Sequence, residues 1–177
     1  MTKIFNAFIL SNFNYCPIVW HFCGTGSMRK MEKIQERALR LMYADCRSSY
    51  EELLRRSNQT TLHIRRLRIV ALEVFKSVHQ LNPVFMHNMF TCKETSYELR
   101  DPHQLVMPAF STIRYGKNTF SYQGAHVWNV LPVDFKQVCD VDDFKKMLKV
   151  WEGAKCLCSM CSFKPWFYAF CKMFAFI

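Results

Sequence analysis

Nine cysteines, six histidines and fourteen Asp/Glu residues supply the reactive side chains of this 177-residue chain. Only two of their groupings have spacing that suggests chemistry. The first is Tyr43-Ala44-Asp45-Cys46. Two-metal phosphoryl transfer uses Tyr-x-Asp-Asp on a tight hairpin, where paired carboxylates and a third, distant Asp hold two Mg²⁺ ions. Here Cys46 stands in the second acidic position, and the tetrapeptide ends an amphipathic helical pattern. The expectation is that Tyr43 packs and Asp45 starts the following turn, with no Mg²⁺ site. The second grouping is Cys156-x-Cys158-x-x-Cys161, whose thiolates are close enough to share a Zn²⁺. A closed zinc site needs four ligands, so Cys139, Cys171 or a histidine would have to complete it. The alternative is free thiols. The histidines (His21, His63, His79, His87, His103 and His126) show neither H-x-x-x-H nor H-E-x-x-H spacing. With five glycines and no G-x-x-x-x-G-K-[ST] or G-x-G-x-x-G, the chain has no phosphate-cradling loop.

The elements that carry these groups belong to a chain long enough for one domain plus a small appendage. Half its residues are apolar and 21% are charged, a globular composition. Its formal net charge of +10 points to a polyanionic partner, nucleic acid or an anionic surface. From Arg29 to Lys76 there are twelve Lys/Arg against six Asp/Glu, so much of the excess falls on helical patterns. The solvated helix surface is the plain alternative. Residues Met1 to Leu10 lack the apolar core and cleavage site of a secretory signal. A reducing, intracellular compartment, nucleus or cytoplasm, is therefore expected, with mostly free thiols. The apolar run Pro165 to Ile177 is too short for a bilayer, which needs about 20 residues.

Ile4 to Leu10 reads as helix, with Phe5, Phe8, Ile9 and Phe13 on one face. Pro17 either kinks or restarts it. Ser27 is placed to cap a helix running to about Tyr43, with Met31, Ile34, Ala38 and Leu41 inward and Arg29, Lys33, Glu36, Arg37 and Arg40 outward. Ser48-Ser49-Tyr50-Glu51-Glu52 offers two overlapping capping boxes for a short helix through Arg56. Thr60 or Thr61 starts the longest helix, which ends before Asn82-Pro83 and carries Ile64, Leu67, Ala71, Val74, Val78 and Leu81 at alternating spacings of 3 and 4. Arg65, Arg66 and Arg68 crowd its first two turns, where the helix dipole disfavours cations. An external anion would explain that cluster; an acidic partner within the chain, such as Glu51 or Glu52, would also do so. Beyond Cys92 the helical period weakens. Gln104 to Met107 and Thr119 to Tyr122 look extended around a turn at Arg114 to Asn118. Ala125 to Val130 forms one or two helical turns, stopped at Leu131-Pro132. Asp140 to Phe144 opens a last helix through Trp151. Arg114, Tyr115, Lys117, Phe120 and Tyr122 group cations with aromatics suited to stacking on bases, with Phe120 better suited to a core.

Asn14-Tyr15-Cys16-Pro17-Ile18-Val19-Trp20 followed by Ile34-Gln35-Glu36-Arg37-Ala38-Leu39-Arg40 resembles the segment just downstream of the catalytic palm in reverse transcriptases of non-LTR (LINE-type) retrotransposons. Further pieces occur in the order seen in that region: Ser49 to Leu54, Ile64 to Arg68, Leu81-Asn82-Pro83, Arg114 to Asn118, Trp128 to Pro132 and Trp151-x-Gly153-x-x-Cys156-x-Cys158-x-x-Cys161. Each piece is weakly specific; their order over roughly residues 4 to 163 is the specific feature. Residues 164 to 177 depart from the pattern. The resemblance implies a mainly α fold with a small β-containing segment. A helical thumb-like bundle (1–91) would precede an α+β tail (92–152), a cysteine knuckle (153–163) and an apolar divergent tail (164–177). It implies a truncated, non-catalytic chain without room for a palm. That chain would contact RNA or DNA backbone through Arg37, Arg40, Arg65, Arg66, Arg68, Arg114 and Lys117, and would have the missing polymerase domain of related elements as a further partner. The alternative is a protein-interaction module stabilised by zinc at Cys156, Cys158 and Cys161. Membrane association through Trp166 to Ile177 is the least favoured reading.

Overall fold

The computed structural model describes residues 2–94, 101–112 and 115–151. The protein is mainly helical. The helices run in the order α1 (Thr2–Ile4, Phe5–Leu10 in π register, Ser11–Asn14), α2 (Pro17–Trp20), α3 (Thr25–Tyr43), α4 (Tyr50–Arg56), α5 (Leu62–Val78), α6 (Val84–His87), α7 (Phe120–Val130), α8 (Val133–Lys136) and α9 (Val141–Val150). Two compact units, Met1–Ile69 and Val70–Ile177, divide within α5. Among the described residues there is no strand, only an isolated antiparallel bridge between Cys92 and Leu105. The stretch expected to be extended at Thr119 to Tyr122 is instead a helix start. Thr119 is the N-cap, its hydroxyl accepting the Tyr122 N–H. Aromatic content suggested a strand there, but the cap decided.

In the first unit Phe5, Leu10, Ala38, Leu39, Leu53, Leu54 and Leu62 form the core, with Ile9, Phe13, Met31, Met42, Tyr43 and Tyr50 packed around it. The π register of α1 sets Phe5 and Leu10 inward five residues apart and leaves Phe8 outside, contrary to the expected face. Pro17 restarts the chain at the first position of α2, behind a left-handed Cys16. Gly24, not Ser27, occupies the N-cap of α3. The buried face of α3 is also turned by one residue from the expected one. Met28, Gln35, Ala38 and Leu39 are buried, whereas Ile34 and Leu41 are exposed. Ser49 caps α4 by accepting the Glu52 N–H at 3.2 Å. Glu52 turns its carboxylate to Arg55 at 2.8 Å.

In the second unit Val70, Ala71, Val74 and Phe75 of α5 are buried, as are Ala125, Val127 and Trp128 of α7 and Phe144 and Leu148 of α9. Phe75 and Phe144 stack with centroids 4.2 Å apart. The Trp128-Asn129-Val130-Leu131-Pro132 piece has a positioning task. Trp128 Nε1 donates to the His103 carbonyl at 2.7 Å, and the Asn129 side chain bonds both the N–H (2.8 Å) and the C=O (2.9 Å) of Leu105. Lys136, its side chain fully buried, is ion-paired with Asp101. Asp140 caps α9 by accepting the N–H groups of Asp142 and Asp143. Leu81-Asn82-Pro83 closes α5, with the Asn82 amide donating to the Glu73 carbonyl and Ser77 Oγ, both at 3.1 Å.

Candidate nucleic-acid interface

The site begins with an inward-facing acid. Glu32, on α3, accepts the backbone N–H groups of Leu62 (3.3 Å) and His63 (2.9 Å) at the start of α5, and the Tyr50 hydroxyl at 2.8 Å. Buried Gln35, one turn on, accepts the same hydroxyl and donates to the Thr60 carbonyl. Burial first, then the Glu32 carboxylate, holds the Tyr50 phenol well above its ordinary value. The anion that offsets the crowded start of α5 is thus Glu32, within the chain; neither Glu51 nor Glu52 takes that place. A carboxylate on those N–H groups stabilises the positive end of the helix.

The arginine cluster of α5 turns inward with it. Arg66 is 1% exposed, its guanidinium 4.7 Å above the Trp20 ring. His21 and His63 stack at 5.7 Å, both buried. Burial pushes the Cys23 thiol up, opposed by the Arg66 charge. Arg65 is half-buried and donates to Gln59 Oε1; burial, then repulsion from Arg68, lowers its pKa. Arg68 is half-buried. An interior guanidinium over an indole ring serves packing and cation–π attraction, not a phosphate outside.

On α3 the geometry is the reverse. Arg29, Lys30, Lys33 and Arg37 are exposed. Lys30, Lys33 and Arg37 have no hydrogen-bond or ion-pair partner among the described residues. The row from Arg29 to Arg40 spans about 16 Å of straight helix at 1.5 Å per residue. Arg40 is committed locally, paired with Glu36 at 2.8 Å and donating to the Cys46 carbonyl at 2.9 Å. Because Glu32 faces inward, Glu36 is the one acidic side chain left on the outer side of α3. Lys30 and Lys33 lie on this exposed face although neither was among the nucleic-acid candidates read from the sequence, which placed Lys33 outward and did not name Lys30. Their signal was the helical period, which places them beside Arg37.

Asp45 closes the turn after α3, as expected. Its carboxylate accepts the N–H groups of Arg47 and Ser48 at 3.0 Å and pairs with Arg56 at 2.8 Å. The Ser48 hydroxyl bond, then the two N–H bonds, hold it well below the usual carboxylate range. Ala44 before it is left-handed, ending the helix. Lys117 is half-buried in the turn before α7, and its charge lowers the His126 pKa after the larger effect of burial. Arg114, Cys156, Cys158 and Cys161 lie outside the described residues. Among the described residues no group of three or more His, Cys, Asp or Glu is arranged to hold a metal, and no helix is long and apolar enough to cross a membrane. No family model, curated protein or solved structure matches the chain.

Proposed function

We propose that this chain is a non-catalytic, LINE-type reverse-transcriptase fragment that binds the phosphate backbone of RNA or DNA, and that the outer face of α3 is its contact surface. The observation that carries the reading is the sorting of charge on one helix. Lys30, Lys33 and Arg37 face solvent, while Glu32 is drawn inside to cap α5. Arg29 extends the row, and Lys117 is a secondary contact on the second unit. Arg65 and Arg66 drop out of the first rank because their side chains serve the fold, and half-buried Arg68 ranks behind the exposed cations of α3. Asp45 is committed to its turn and is followed by Cys46 where an acidic pair would need a second Asp, so no magnesium-dependent nucleotide incorporation is expected from the purified chain.

Phosphate neutralisation releases counterions, so log K should fall linearly with log salt, with a slope of about −0.9 per phosphate contacted on B-DNA. Reversing both Lys33→Glu and Arg37→Glu should flatten that slope by about 2 and weaken binding equally across unrelated sequences. A fluorescence-anisotropy titration at several salt concentrations measures both. An unchanged slope in the double variant, or wild-type binding indifferent to salt, would remove α3 as the interface.

A further inference from the structure

The bridge between Cys92 and Leu105 has two edges, and the described residues close only one. Lys93 N–H donates to the Gln104 carbonyl and Val106 N–H to the Thr91 carbonyl, both at 2.8 Å. This is the antiparallel pattern in which the two opposed residues do not bond each other and aim their own N–H and C=O outward. On the Leu105 side, the Asn129 side chain takes both groups. On the Cys92 side no described residue takes either, and Thr91, Cys92, Lys93 and Glu94 are all exposed. An open edge of this kind is a template for another extended chain.

We propose that Thr91–Glu94 is the edge through which two copies of this chain pair, antiparallel and centred on Cys92. In that register Cys92 exchanges both N–H···O=C bonds with Cys92 of the second copy. Lys93 then stands opposite Thr91 of the second copy, so no like charges face each other. The surroundings favour a second copy over a charged partner. Gln80 to Cys92 contains no Lys, Arg, Asp or Glu in a chain of net charge +10, and Lys93 and Glu94 on the edge cancel, so self-repulsion is low here. Val84 and Phe85, 73% and 65% exposed, together with Met89, supply apolar surface just before the edge.

The test is sedimentation equilibrium of the full, nuclease-treated chain under reductant. A concentration-dependent dimer is expected. Cys92→Ser should keep it, because the bonds are backbone bonds and no disulfide is involved. Cys92→Pro removes the outward donor and fixes φ at a place where an edge tolerates proline, and should lose the dimer with an unchanged circular-dichroism spectrum. Hydrogen exchange on the wild-type chain needs no variant: the Cys92 amide should slow as concentration rises through the dimerisation range. A chain monomeric at all concentrations overturns the proposal. So does a dimer that survives in folded Cys92→Pro, one lost in Cys92→Ser, or a wild-type Cys92 amide whose exchange ignores concentration.

Discussion

Glu32 and Glu36 sit one turn apart on α3, and their side chains have opposite uses. Glu36 makes an i,i+4 pair with Arg40 near solvent, an interaction worth about 0.3–0.5 kcal/mol. Glu32 satisfies two backbone donors and a half-buried phenol, and its loss leaves those groups unpaired at about 1–3 kcal/mol. Glu32→Ala should therefore lower the urea midpoint of the first unit clearly, while Glu36→Ala barely moves it. The same logic separates arginines that look alike in sequence. Arg66→Met should change stability and leave the salt slope of nucleic-acid binding intact, whereas Arg37→Met should do the opposite. Composition showed that the chain is basic. It did not show which cations are turned inward, because that depends on Trp20 and Glu32, which come from other segments.

At the scale of helices, much was legible: the bounds of α4 and the start of α9 at Asp140 follow from local chemistry that short-range rules describe, whereas α5 ends at Val78, ahead of a left-handed Gln80 and short of the expected stop at Asn82-Pro83, which leaves Leu81 exposed. The inward face of α3 was misplaced by one position for a specific reason. Gln35 occupies a core site because Tyr50 and Thr60 satisfy its amide, and a buried polar residue is invisible to an apolar pattern. Ile34 and Leu41, which the pattern favoured, remain outside. Helix α7 is held to α5 by a different kind of fit. A Cβ added at Gly124 would lie 2.9 Å from Val74 Cγ2 and 3.0 Å from the Phe90 ring. Alanine is the better helix former by about 1 kcal/mol, yet overpacking against a stiff β-branched side chain costs about 1–3 kcal/mol. Gly124→Ala should thus lower the melting temperature. Combining it with Val74→Ala should destabilise less than the sum of the two single changes, the signature of direct contact.

Across the whole molecule, the net charge of +10 overstates what is offered to a partner, since Arg66 and Lys136 are interior. Ionisation should also distinguish the two units. His79 and His126 both belong to the second, and burial is the first cause lowering each pKa. His103 adds to the effect at His79, and Lys117 at His126. A histidine whose pKa is lower in the folded chain leaves the unfolded chain binding more protons, so stability rises with pH over that window. The stabilisation is fully present above the ordinary value near 6.5 and is lost as pH falls through the depressed folded values. Amide exchange at Val74 and Phe144, buried in the second unit, should therefore accelerate between neutral and mildly acidic pH beyond the intrinsic chemical rate. Replacing both histidines, His79→Gln and His126→Gln, should flatten that dependence. A second unit whose protection stays constant across this range would mean that neither imidazole is kept from its proton by the fold.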